Sequence, residues 1–150
     1  MNLGAFAAVI AAARRTRSAE ISSFSGLGRT DPMLAVMLSI FLLSLAGVPP
    51  LAGWFAKFVM FNAVFDAGTT GAVVLGVIAA VNSVIAFFYY AAIPRRMWFH
   101  EPAEDAVEAS VAPTPFALNA AMFLTTAAVL VVGIYPQFFG RLGELAFTPG

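Results

Sequence analysis

The 150-residue sequence has no cysteine, which excludes disulfide bonds, thiolate metal sites, cysteine nucleophiles and iron–sulfur ligation within this chain. The redox compartment stays open. Charge is scarce too: acidic and basic side chains, eight of each, make up 11% of the chain, against about 25% in soluble domains. Their even balance leaves no polycationic surface for nucleic acid and no acidic tail. His100-Glu101 begins like a zinc-protease motif, but position 104 is glutamate where a second histidine is required, so no metal site is expected there. Gly26-Leu27-Gly28 is too short for a dinucleotide fingerprint and follows no predicted strand. No nucleophile, base and orienting acid form a recognisable catalytic set. A signal peptide is missing as well, because no basic region precedes the apolar stretch 3–13.

What is abundant is apolar: 61% of residues, with a mean hydropathy of +0.88. These residues lie in runs too long for a water-soluble core. The expected fold class is therefore all-α, a polytopic transmembrane helix bundle. Residues 1–13 fall short of the ~20 needed to cross a bilayer and read as the end of a longer helix, with Met1 internal to a larger protein. A polar loop follows, Arg14 to Asp31, and Pro32 then suits a first helical turn. From 32 to 65 the sequence is almost wholly apolar, and as one straight helix it would measure roughly 51 Å against a core of ~30 Å.

The expected solution is a discontinuous helix, broken at Gly47-Val48-Pro49-Pro50, where adjacent prolines remove two donors and disfavour helix before them. Non-helical backbone at membrane depth must be buried in protein or line a watery cavity. Further helices are predicted over 71–93, stopping at Pro94, and over 115–135, stopping at Pro136. Ala72, Gly76 and Ala80 make a narrow face suited to close packing. The intervening loop, Pro94 to Thr114, holds Glu101, Glu104, Asp105 and Glu108.

Lys57 is the one basic residue inside an apolar run. Nine residues before Asp66, or about 14 Å along a helix, it sits near the middle of the core and too deep for easy snorkelling. A lysine there costs roughly 2.5–3.5 kcal/mol on insertion scales and needs a compensating environment. Withdrawal from water disfavours its charged form, which qualifies it to pass a proton on. The competing reading is a structural lysine paired with a carboxylate on another helix. Gly53, one turn earlier, either leaves room for water beside the break or permits close helix packing. Ser39, Ser44, Asn82, Ser83, Thr125 and Thr126 are intramembrane polar residues, of which Ser44, Asn82 and Ser83 are candidate ligands of relay water. Interhelical or backbone bonding is the alternative for each. Tyr89, Tyr90 and Trp98, near Arg95 and Arg96, read as an interfacial belt.

Over Leu43 to Phe58, LSLAGVPPLAGWFAKF, the chain resembles the antiporter-like subunits of proton-translocating NADH:quinone oxidoreductase, respiratory complex I, and within them subunit N. Met1 to Ala7, Phe24 to Arg29 and Phe88-Tyr89-Tyr90 are similar to words in corresponding places. The resemblance implies that this chain is the C-terminal part of a single antiporter-like domain, with Lys57 the lysine of its second broken helix and part of a hydrated proton path. The family's upstream glutamate, lysines and first broken helix have no counterpart here. It further implies that NADH, flavin, iron–sulfur clusters and quinone bind other subunits, that neighbouring membrane-arm subunits and lipid are the partners, and that the location is a bacterial plasma membrane. A subunit of a multisubunit cation/proton antiporter is the runner-up, since such proteins resemble the same motif. A purely structural membrane module is the third reading.

Basic residues near helix ends favour the cytoplasmic side. Arg14, Arg15, Arg17 and Arg29 lie in one predicted loop and Arg95 and Arg96 in the other, whereas Arg141 lies in the tail. If the broken segment crosses once, the two loops share a face. Single cysteines at positions 17 and 104 are thus expected to react with an impermeant thiol reagent from the same side. Labelling from opposite sides would overturn this topology.

Overall fold

The computed structural model describes residues 1–102 and 115–137. Glu104, Asp105, Glu108 and Arg141, singled out above, lie outside the described residues. Among the described residues are six α-helices, α1 (Asn2–Thr16), α2 (Leu27–Thr30), α3 (Pro32–Ala46), α4 (Ala52–Asp66), α5 (Thr70–Phe99) and α6 (Phe116–Ile134), with a 3₁₀ turn at Ile21–Phe24. The architecture is an all-helical transmembrane bundle.

The centre of the bundle is α3, which packs against every other described helix. It is apolar around its whole circumference, as a buried helix should be, and Leu38 and Phe41 are fully enclosed. Its start is set by Asp31, whose carboxylate accepts the Leu34 N–H at 3.2 Å, with Pro32 in the first turn. The same carboxylate pairs with Arg15 at 2.7 Å, so one residue caps α3 and pins the end of α1 beside it. Small residues let α1 approach closely: Ala5, Ala8, Ala11 and Ala12 form its buried face, and Gly4 lies directly on the Phe41 ring.

Two expected boundaries move. The first polar loop is shorter than predicted, because α1 continues to Thr16 and the remainder folds into the 3₁₀ turn and α2, buried through Phe24 and Leu27. The helix predicted to stop before Pro94 instead runs through it to Phe99. Proline removes one donor but its fixed φ is compatible with a helix, and the continuation is anchored beyond it. Met97 is fully buried, the Trp98 indole N–H donates to Ser39 Oγ at 3.0 Å, and the Gly26 N–H reaches the Arg96 carbonyl at 3.4 Å. Trp98, read above as part of an interfacial belt, thus also ties α5 to α3.

At 30 residues α5 is about 45 Å long, enough to cross the hydrocarbon core with tilt. Its apolar residues between 73 and 88 are mostly exposed, and only Gly76 and Met97 are buried. A core helix of a soluble protein would hide such a surface; a lipid-facing helix need not. Gly76 receives Val64 and Phe65 of α4, the close packing expected on that face. Ala80 is exposed and takes no part in the core.

Near the end of α6, Gly133 meets the Pro50 carbonyl and the backbone of Leu51, so this helix closes over the break. Gly133→Ala drives a methyl group into backbone that has no side chain to swing aside. It is expected to destabilise the protein by about 1–3 kcal/mol, the range for overpacking. Gly71→Ala, with nothing within 4 Å of its Cβ, should be neutral or slightly stabilising. Thermal unfolding of the two variants in detergent, and their yields in membranes, check the contrast.

Candidate functional site

Helix α3 ends because Gly47 takes the left-handed conformation, φ 89° and ψ 34°. Its N–H returns to the Leu43 and Ser44 carbonyls at 3.1 and 3.0 Å, and the Val48 N–H returns to Leu43 at 3.0 Å. Pro49 and Pro50, joined by a cis peptide bond, follow without donors. The chain re-enters a helix at Ala52, two residues after the prolines.

Each half-helix completes the other. No side chain at the start of α4 caps it; instead the hydroxyl of Ser44, fully buried in α3, accepts the Gly53 N–H at 3.1 Å and donates toward Met1 Sδ at 3.4 Å. In the opposite direction, Lys57 folds back from α4 and its Nζ donates to the Ala46 carbonyl at 2.7 Å. That carbonyl closes α3, at the negative end of the helix dipole, where a cation is favoured. Among the described residues no acidic side chain comes within ion-pair distance of Lys57; Asp31 pairs with Arg15 instead.

Lys57 is half-buried and borders a groove of about 400 Å³ between α4 and α5. Trp54, Phe58, Phe61, Val84, Phe87 and Phe88 line it, with Ser83 as its other polar side chain. Trp54 and Phe58 stack with centroids 5.3 Å apart. The space suffices for several waters at ~30 Å³ each, but water stays only where it finds polar partners. Here those are the Lys57 ammonium, the Ser83 hydroxyl and the carbonyl face of the break.

The structure therefore sorts the residues picked from sequence. Lys57, Gly47 and Ser83 meet at the groove. Ser44 lies beneath it, committed to backbone, and Asn82 is exposed and outside it. For Gly53 the packing alternative holds: a Cβ there would collide with the Ser44 carbonyl, so the space next to it is filled by backbone. Thr125 and Thr126 bond to the carbonyls of Ala121 and Met122 within α6, at 2.6 and 2.7 Å, and Ser39 bonds to Ala35 at 2.7 Å. That carbonyls freed at the break can hold the lysine ammonium is legible in the sequence, and the Ala46 carbonyl is the one that does; Gly133 and Phe87 are not singled out by the sequence. A glycine in the valine-rich end of α6 was the one available signal.

The family model for NADH:quinone oxidoreductase/Mrp antiporter transmembrane proteins matches residues 1–83. Among curated proteins, the F(420)H(2) dehydrogenase subunit N of Methanosarcina mazei is 40% identical over 126 residues, 84% of this chain and 24% of that protein. The NADH-quinone oxidoreductase subunit N of Parvibaculum lavamentivorans is 40% identical over 137 residues, 91% of this chain and 27% of that one. A chain in the structure of respiratory complex I from Thermus thermophilus with bound aureothin superposes with a TM-score of 0.63 at 30% identity, over 78% of this chain and 26% of that chain. This chain thus spans about a quarter of the length of the relatives it matches.

Ser44→Ala leaves the Gly53 N–H without its acceptor in a buried place. The expected loss of stability is about 1–3 kcal/mol, the cost of an orphaned buried donor, seen as a lowered unfolding temperature. The groove itself should be unchanged in whatever protein remains folded, because Ser44 does not line it.

Proposed function

This chain belongs to the NADH:quinone oxidoreductase/Mrp antiporter transmembrane family, and on that premise we propose that it is the lysine-bearing proton relay segment of a complex I membrane-arm subunit. The carrying observation is Lys57, held at 2.7 Å from the last carbonyl of a broken half-helix, on the wall of a groove large enough for water.

The cycle uses one proton at one atom. As ammonium, Lys57 is bound to the Ala46 carbonyl by a charge-assisted hydrogen bond, roughly twice as strong as a neutral one. Passing a proton to water in the groove leaves the neutral amine, weakens that bond and frees the side chain to turn; taking a proton from water restores it. Ser83 gives the water a second polar partner across the groove. The protonation state of Lys57 and its attachment to α3 are coupled, and neighbouring charges elsewhere in the complex bias them.

Energy for the cycle comes from electron transfer to quinone in other subunits, which hold the NADH, flavin and iron–sulfur clusters. No redox cofactor is assigned to this chain. Its partners are the remaining membrane-arm subunits, adjacent antiporter-like ones among them, in a bacterial plasma membrane. That one relative is a subunit of an F(420)H(2) dehydrogenase fits a division in which the electron donor is chosen elsewhere. The family also takes in Mrp antiporters, so cation/proton exchange is the second reading. The names of the curated relatives support the first.

Lys57→Ala is expected to lower proton translocation by at least about tenfold, modest beside the ~10²-fold or more that a positioned proton-transfer group contributes. Coupled NADH:quinone turnover should fall with it, while NADH oxidation with artificial acceptors persists. Lys57→Arg keeps the charge but not the ability to release a proton, and should fail nearly as badly. Near-normal proton-to-electron stoichiometry in assembled Lys57→Ala complex would leave the structural-module reading standing. Sodium/proton exchange without NADH would favour the antiporter.

A further inference from the structure

The last four carbonyls of a helix have no donors within it. At the end of α3 the backbone recovers those of Leu43 and Ser44 through Gly47 and Val48, and the terminal one, on Ala46, is taken by Lys57. Gly47 stands between the two. A Cβ on it would lie 2.8 Å from Lys57 Cδ, 3.1 Å from Nζ and 3.2 Å from Cε. The outer half of the lysine therefore lies against the bare α-carbon of Gly47, within the space any side chain would fill.

Position 47 meets two separable demands. Ending α3 requires a left-handed residue, a conformation that asparagine also adopts. Seating the lysine along its present path requires that no Cβ stand there. We propose that Gly47 is a positioning residue for Lys57: its missing side chain lets the lysine fold back and set its ammonium on the Ala46 carbonyl, at the edge of the groove. This rests on the relay reading of Lys57 and adds a stereochemical condition to it. Any larger residue at 47 pushes the ammonium off the carbonyl and toward the aromatic wall formed by Phe58, Phe61 and Phe87, where Ser83 is the remaining polar side chain.

A double-mutant cycle in the full complex tests this, with the native protein, Gly47→Asn, Lys57→Ala and the double variant. Assembly is measured as NADH oxidation with an artificial acceptor and as thermal stability, and function as protons moved per electron. Gly47→Asn should lower pumping roughly tenfold, since a misplacement on the order of 1 Å costs up to ~10²-fold in a positioned site. Its effect on stability should shrink by about twofold or more once Lys57 is alanine, the low end of coupling between contacting residues. Where Gly47→Asn does not assemble, recovery of assembly in the double variant supports the proposal and no recovery overturns it. An equal stability loss with and without the lysine overturns it, as does native-like pumping by Gly47→Asn. Normal pumping by Lys57→Ala brings down the relay reading instead, and the coupling between positions 47 and 57 is still read on stability.

Discussion

A helix interrupted inside an apolar slab must satisfy every backbone group it frees, because no bulk water is present to do so. Between Ala46 and Ala52 that demand shapes everything nearby. Gly47 and Val48 turn their N–H groups back onto α3, Pro49 and Pro50 bring no N–H to satisfy, Ser44 takes the Gly53 N–H and Lys57 takes the Ala46 carbonyl. Two side chains cross the break in opposite directions, one from each half-helix. The serine and the lysine solve the same backbone problem, and only the lysine can also change its charge.

Close approach of backbones makes this economy of polar groups workable. Gly53 admits the Ser44 carbonyl, Gly133 admits the Pro50 carbonyl, and Gly4 admits the Phe41 ring. Around that tight centre the outer faces of α4 and α5 are apolar and open. Helices in lipid gain little from hiding such faces, so packing of small residues and satisfied polar groups must hold them together. The bundle follows that pattern, with α3 enclosed along one side and α5 exposed along most of its length.

Among the described residues, the electrostatic setting of Lys57 differs from that of a buried salt bridge. A carboxylate partner would hold the ammonium by full opposite charge and make proton release costly. A helix C-terminus carries roughly half a charge spread over several carbonyls, enough to offset part of the cost of burial without locking the charge in place. Such a site suits a group that must visit both protonation states. It also explains how a broken helix and a mid-membrane lysine come to lie side by side in one stretch of chain.

From residues alone, the helical class, the break and the singular lysine were legible, because long apolar runs, paired prolines and an isolated charge each have few physical solutions in a bilayer. Helix ends set by local chemistry, such as Asp31-Pro32 and Gly47, could be read for the same reason. The passage of α5 through Pro94 could not, since it depends on Met97 and Trp98 finding neighbours in α2 and α3, far away in sequence. Nor could the division of labour among Ser44, Asn82 and Ser83: polar residues of similar type look alike in a sequence, and which of them meets backbone, the exterior or the groove depends on rotation of each helix about its axis. Local propensity and solvent transfer decided the elements; their relative rotation and close approach, which only tertiary packing sets, decided that Lys57 rests on Ala46 beside the bare face of Gly47.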